Sequence, residues 1–179
     1  MRNAFDIHQD LIEGSKNGDR KAQKALFDLY SKAMFNIGVR LLGNTEDAAD
    51  VAQDTFIDAF TKLDQFKGTS SFGAWMKRIM INKSINFLNR KKIHFELVVD
   101  VASTEEDELE DQDFLMQQLM ASLPDLPEGC RVIFTLFYFE GFDHDEIASI
   151  LKISKSTSKS QLSRARGILR SLILQIAEA

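Results

Sequence analysis

Both prolines of this 179-residue chain, Pro124 and Pro127, fall within one four-residue stretch. Inside a helix a proline removes a backbone donor and clashes with the preceding turn, at a cost of about 3 kcal/mol. Everything before Pro124 and after Pro127 is free of that helix breaker, and the chain holds only 9 glycines. This distribution predicts long helices and argues against a turn-rich β architecture. Apolar residues at 44% and charged residues at 27% give a globular profile. No run of about 18 uncharged apolar residues occurs, which excludes a spanning helix. The opening residues Met1-Arg2-Asn3-Ala4-Phe5-Asp6 lack the apolar core of a secretory leader, so the expected location is the cytoplasm. Cys130 is the one cysteine, which excludes a disulfide framework and a Cys-rich zinc site.

Ala22, Ala25, Leu26, Leu29, Ala33, Ile37 and Leu41 recur at helical spacing, between Asp19 as a cap and Gly43 as a stop. A second helix starts near Asn44 or Thr45 and is expected to bury Ala48, Val51, Ala52, Thr55, Phe56, Ala59 and Leu63. Residues 66–72 read as a loop ending in a hydroxyl cap. A third long helix follows over 71–91, with Phe72, Trp75, Met76 and Ile79 on one face. A short helix near 10–16 precedes all three. Residues 93–102 are β-branched and fit a helix end, a short strand or an ordered linker equally well. After them, periodicity resumes at 114–122, the prolines bracket a turn, and an apolar helix runs over 128–139 to Gly141. Two more helices, 143–151 and 155–176, are separated by only Lys152-Ile153-Ser154.

The net charge of −5 conceals a split. Residues 105–113 (EEDELEDQD) hold seven of the 27 acids and no base, so the rest of the chain has 20 acids against 22 bases. Residues 71–95 carry Lys77, Arg78, Lys83, Arg90, Lys91 and Lys92 with no acid, and 148–179 carry six bases against Glu178. Two positive segments joined by a solvated acidic tether describe the chain better than its total charge.

Three features carry chemistry. In the last two helices Ile147, Ala148, Leu151, Leu162, Ala165 and Leu169 are expected to face inward, with Ile153 in the turn, a pattern suited to a helix-turn-helix. Its second helix would then present Lys155, Ser156, Lys159, Ser160, Ser163 and Arg164, bases and hydroxyls fitted to phosphates and base edges. An ordinary αα-hairpin with a solvated face fits the same segment. Lys152 stands where glycine would be comfortable, and Ser158 where an apolar residue is expected. Glu46, Asp50, Asp54 and Asp58, spaced by four, make an acidic ridge. Each like-charge pair at that spacing costs about 0.2–0.5 kcal/mol in an isolated helix, which docking onto a cationic protein would relieve. A solubilising face near a helix N-terminus is the other reading. Finally, Phe66, Phe72 and Trp75 stand among Lys77, Arg78, Asn82, Lys83 and Asn86. Such a mixture suits single-stranded nucleic acid, with rings stacking on bases and cations following phosphates, and the loop could close around an extruded base. Helical spacing equally makes Phe72 and Trp75 core residues, Trp75 above all. No active site is legible: His8, His94 and His144 are scattered, no phosphate-cradling glycine loop occurs, and Cys130 reads as a small packing residue.

In this order these segments resemble the extracytoplasmic-function group of bacterial RNA polymerase sigma factors over nearly the whole chain. The stretch 46–56 (EDAADVAQDTF) is similar to that family's core-polymerase-binding helix. Phe66-Lys67-Gly68 with Phe72, Trp75, Arg78-Ile79 and Asn82 resembles its element for recognising and melting the upstream edge of the transcription bubble. Residues 126–131 (LPEGCR), Glu140-Gly141, Glu146-Ile147-Ala148, Ser154, Thr157, Lys159-Ser160 and Arg164-Ala165-Arg166 resemble its promoter-upstream helix-turn-helix domain.

The resemblance implies an all-α fold of two small helical domains joined by an acidic linker: 1–95 like sigma region two, 96–112 the linker, and 113–179 like sigma region four. It implies a non-enzymatic initiation factor without metal or cofactor. Its partners would be core RNA polymerase and promoter DNA, the latter both as duplex and as displaced non-template strand. Polymerase would be bound by Glu46, Asp47, Asp50, Gln53, Asp54 and Asp58, docking on the clamp coiled coil. The minus-ten element would meet Phe66, Lys67, Ser70, Phe72, Trp75, Arg78, Asn82, Asn86 and Arg90. The minus-thirty-five element would meet Lys155, Ser156, Thr157, Lys159, Ser160, Ser163, Arg164 and Arg166. The resemblance also admits an anti-sigma factor covering the ridge or clamping both domains, and a linker that mimics nucleic acid along the RNA path. The residues taken alone leave two other functions open, a stand-alone operator-binding regulator and a helical protein adaptor.

Overall fold

A computed structural model describes residues 8–91 and 112–177 of the chain. The segment 93–102 and the acidic residues 105–111, with the linker function expected of them, lie outside the described residues. Every regular element among the described residues is helical. The chain divides into two compact units, Met1–Asn89 and Arg90–Ala179.

The first unit contains α1 (Gln9–Lys16), α2 (Arg20–Leu42), α3 (Thr45–Thr61) and α4 (Phe72–Arg90), with one 3-10 turn at Leu63–Gln65. The caps follow from short polar side chains at the right places. Asp19 accepts from the amide of Lys21 at 2.8 Å, Asn44 Oδ1 from those of Glu46 and Asp47 at 2.8 and 3.0 Å, and Ser71 Oγ from that of Ala74 at 3.2 Å. Gly43 closes α2 in the left-handed region at φ 68°, where a side chain would be strained.

All seven residues expected to be buried from the second helix pattern are buried, Leu63 from the turn after α3. In α2 the stripe holds at both ends, at Ala22, Leu26, Ile37 and Leu41, and is rotated between them. Ala22, Leu26, Met34, Ile37, Gly38, Leu41 and Leu42 are buried, whereas Leu29 is half exposed and Ala33 lies outside. The reason is Tyr30, whose ring meets Phe72 at 5.3 Å and draws the inward face one position along the helix. The third helix shows a similar rotation. Phe72, Met76, Met80, Ile81, Ser84, Ile85 and Leu88 are buried, and Trp75 and Ile79 sit at the margin. The Thr55 hydroxyl donates to the Val51 carbonyl at 2.8 Å and lies 3.2 Å from the Met80 sulfur, joining α3 to α4.

The second unit contains α5 (Gln112–Ser122), a 3-10 turn at Leu123–Asp125, α6 (Glu128–Phe134), α7 (His144–Leu151) and α8 (Lys155–Ala177). The expected α-helix over 128–139 is corrected at its end: Thr135–Phe139 is a π-turn, with the amide of Glu140 bonded to the Thr135 carbonyl and that of Phe142 to the Leu136 carbonyl. The wider turn leads into Gly141 at φ 78°, where the chain reverses. Arg131 holds the turn between the prolines. Its buried guanidinium donates to the carbonyls of Leu126 at 3.2 Å and Pro124 at 3.4 Å, and lies 3.9 Å from Glu128. The Cys130 thiol is fully buried and donates to Gln161 Oε1 at 3.0 Å, linking α6 to α8. Burial raises that thiol above its ordinary pKa, against the pull of Arg164, which suits a packing role.

Candidate nucleic-acid and protein-docking interfaces

On α3 the acids face outward, but they are not equivalent. Glu46, Gln53, Asp50 and Asp54 are exposed, Asp47 half exposed. Among the described residues Glu46, Asp50 and Asp54 form no ion pair. Asp58 is bonded to Lys62 at 3.1 Å on its own helix and Lys83 at 3.2 Å on α4. These two bonds, Lys62 first, hold its carboxyl below the usual carboxylate value. The ridge expected from sequence thus has three unpaired acids and a fourth that fastens α3 to α4. Glu46 to Asp54 spans about 12 Å of helix at 1.5 Å per residue.

The loop before α4 is organised by three rings. Phe66 meets Phe72 edge-on at 5.6 Å and Trp75 at 5.4 Å, and Phe72 meets Trp75 at 5.7 Å. Phe72 is fully buried and Phe66 nearly so, while Trp75 is half exposed. Phe72 is core as its spacing predicts, but Trp75 is not: the two phenylalanines form the floor and Trp75 the outer ring. Neither phenylalanine offers a face for stacking in this arrangement. Lys67, Thr69 and Ser70 are exposed on the loop, and Gly68 turns it at φ 68°. Arg78, Asn82, Asn86 and Arg90 follow at four-residue intervals, all exposed, as a stripe about 18 Å long on α4. Carboxylates are absent from this stripe, which suits phosphates and base edges together.

In the second unit α7 and α8 form the expected helix-turn-helix. Asp143 caps α7 by accepting from Asp145 and Glu146, and Glu146 returns a bond to the Asp143 amide at 2.9 Å. The Asp143-x-x-Glu146 pattern is a legible signal for this box. Lys152 takes the left-handed conformation at φ 57°, as its place in a glycine-like position requires. Ile147, Leu151, Leu162, Ala165 and Leu169 are buried between the helices, with Ala148 half-buried. Ser154 caps α8 by accepting from the Thr157 amide at 2.9 Å.

Of the eight residues expected to meet duplex DNA, Lys155, Ser156, Lys159 and Arg166 are exposed, and Ser160, Ser163 and Arg164 half-buried. Thr157 is buried, its hydroxyl 2.8 Å from that of Ser154, so it serves the cap and presents no face to a ligand. Lys155 is bonded to Asp145 of α7 at 2.6 Å. Ser158 is fully buried, and its hydroxyl lies 2.9 Å from His144 Nδ1, which supplies the partner that a polar group in this apolar place needs. Sequence reasoning missed two contacts here, that pair and Arg166 with Tyr138, because their partners lie 14 and 28 residues apart.

The His144 ring stacks on Phe137 at 5.0 Å. Burial, then Lys159, Lys155 and Arg166, hold the imidazole below its ordinary 6.5, against the opposing pull of Asp143. The unfolded chain therefore takes up this proton more readily than the fold does. The resulting stability is complete above the unfolded value of 6.5 and is lost as pH falls toward the folded one. Between about pH 7.5 and about pH 5.5 the melting temperature is expected to fall further in the wild type than in His144→Gln. Equal falls in the two proteins would remove His144 as the cause.

Residues 26–93 match the family described as Sigma-70 region 2, and residues 116–169 that described as Sigma-70, region 4. The chain is 30% identical over 177 residues to the ECF RNA polymerase sigma factor SigW of Bacillus subtilis, covering 89% of this chain and 92% of SigW. The chain belongs to the extracytoplasmic-function group of RNA polymerase sigma factors. A similar likeness, 30% over 172 residues, relates this sigma factor to the ECF RNA polymerase sigma-E factor of Escherichia coli K12, with 88% and 90% covered. Its fold matches CnrH, solved in complex with the cytosolic domain of CnrY, at a TM-score of 0.51 and 26% identity, covering 93% of this chain and 96% of CnrH. The sigma factor RpoE of Bartonella quintana, solved with the anti-sigma factor NepR, shares the fold at a TM-score of 0.54 and 24% identity, with 84% and 95% covered. Among the described residues no helix is long and apolar enough to cross a membrane. The family match selects one of the three functions left open by the residues, an RNA polymerase sigma factor that acts at promoter DNA.

Proposed function

We propose that the two units divide promoter recognition as follows. The unpaired acids Glu46, Asp50 and Asp54, with Asp47 and Gln53, dock on a basic surface of core polymerase, the clamp coiled coil by family resemblance. Trp75, Lys67, Ser70 and the stripe Arg78, Asn82, Asn86 and Arg90 hold the displaced non-template strand at the minus-ten element. Phe66 and Phe72 act from beneath by fixing the Trp75 ring. Lys155, Ser156, Lys159, Ser160, Ser163, Arg164 and Arg166 of α8 meet the major groove at the minus-thirty-five element. The protein works in the cytoplasm and needs no catalytic group of its own. An anti-sigma factor, as found with the sigma factor RpoE of Bartonella quintana, would act by covering the acidic ridge.

The supporting observation is the α4 stripe: four exposed bases and amides in register, beginning beside the one half-exposed ring of the loop. The test uses bacterial core RNA polymerase loaded with this protein, and linear duplexes randomised at both promoter elements. Wild type is expected to enrich two short elements and to open the downstream one. Trp75→Ala with Arg78→Ala should lower strand opening by about tenfold or more while upstream selection persists, since base stacking alone contributes about 1–3 kcal/mol. Lys159→Ala with Arg164→Ala should erase the upstream element. Enrichment of one palindromic duplex by the protein without polymerase would instead favour a stand-alone regulator.

A further inference from the structure

Tyr138 is not among the residues assigned to DNA or polymerase, yet it touches one of the α8 cations. Arg166 Nε donates to the Tyr138 hydroxyl oxygen at 2.7 Å, and the guanidinium carbon lies 5.4 Å from the centre of the tyrosine ring. The ring is itself held: Phe134, buried in the core, packs on it at 4.7 Å, and Phe137 meets it edge-on at 5.1 Å. The π-turn Thr135–Phe139 places it there, since its wider turn carries Tyr138 outward, 48% exposed, while Thr135 and Leu136 stay buried. Arg166 stands seven residues after Lys159, two helical turns along the same side of α8.

We propose that Tyr138 is a positioning residue for Arg166 in promoter recognition. This rests on the reading of α8 as the helix that meets duplex DNA. An arginine on a helix surface loses up to about 2 kcal/mol of rotamer freedom when it is fixed on a ligand. A contact to the stem-side nitrogen fixes the side chain beforehand and leaves the terminal guanidinium hydrogens, the pair that grips a guanine edge or a phosphate, unconsumed. The ring beneath adds attraction for the cation without competing for those hydrogens. Tyr138 therefore shapes specificity through Arg166 and makes no DNA contact of its own.

The test loads wild type, Tyr138→Phe, Arg166→Ala, the double variant and Lys159→Ala onto bacterial core polymerase. Each selects from linear duplexes randomised at the upstream element, at two salt concentrations. Tyr138→Phe keeps the ring and its packing, so its melting temperature should stay at the wild-type value. Arg166→Ala is expected to flatten the base preference at one position, or to weaken all sequences and lower the salt slope by about one. Tyr138→Phe should produce the same kind of change at the same place, about fivefold in size, as expected for one ordinary solvent-exposed hydrogen bond. In the Arg166→Ala background it should add nothing. Wild-type behaviour of Tyr138→Phe, or its full penalty persisting without Arg166, would overturn the proposal. If Arg166→Ala is silent while Lys159→Ala is not, the proposal fails and the reading of α8 stands. If both are silent, that reading fails and takes the proposal with it.

Discussion

Asp50→Lys combined with Asp54→Lys is expected to abolish promoter-dependent initiation, a loss of about a hundredfold or more, without weakening the fold. The magnitude follows from charge. Two attractive contacts with a cationic surface become two repulsive ones, and like-charge juxtaposition at an interface costs several kcal/mol, of which about 2.7 is already a hundredfold. The fold moves the other way. Glu46, Asp50, Asp54 and Asp58 stand four residues apart, and reversing the middle two turns three repulsive neighbours into two attractive pairs and one repulsive one. Melting temperature should therefore hold or rise while transcription with core polymerase disappears. Unchanged initiation would sink the docking role of the ridge, and a lowered melting temperature would sink the account of its electrostatics. Asp58 makes a poor probe because its charge is engaged by Lys62 and Lys83, so its reversal would disturb the joint between α3 and α4 as well.

Gly38→Val should cost the N-terminal unit about 3 kcal/mol, where Gly38→Ala changes it little. A Cβ at this position would lie 2.6 Å from Met80 Cε, 3.1 Å from Ala48 Cβ and 3.3 Å from Ala48 Cα. The methionine end can swing away, and alanine recovers about 1 kcal/mol of helix propensity, so the two effects nearly cancel. Valine adds two methyl groups directed by a stiff side chain, and the α3 backbone at Ala48 cannot yield without opening the seam between α2 and α3. At about 4–8 °C per kcal/mol for a unit of this size, the melting temperature should drop by about 10 °C or more. A fall of only a degree or two would mean that α2 and α3 do not approach as closely as described.

The contrast between these positions shows where sequence reading succeeded. Helix ends were legible because capping is local: Asp19, Asn44 and Ser71 each satisfy an amide two or three residues away. The α3 face was legible because its period is undisturbed from Ala48 to Leu63. The α2 and α4 faces were misjudged by one position at Leu29, Ala33, Trp75 and Ile79. There the inward direction depends on which large ring finds a partner, and Tyr30 and Phe72 find each other across 42 residues of chain. Thr157 was assigned to DNA by family resemblance alone, but the cap at Ser154 claims it.

By itself the sequence determined the all-helical class, the order of the segments, the four-acid ridge, the basic stripe and the family to which they belong. All of these rest on periodicity, on caps, and on residue types within a few turns of each other. Only the tertiary structure decided which of those residues are available. It buried Phe66 and Phe72 under Trp75, tied Asp58 to Lys83, gave Ser158 its partner in His144 and set Arg166 against Tyr138. Those choices are made between side chains far apart in the chain, where packing and desolvation outweigh any preference that local sequence can express.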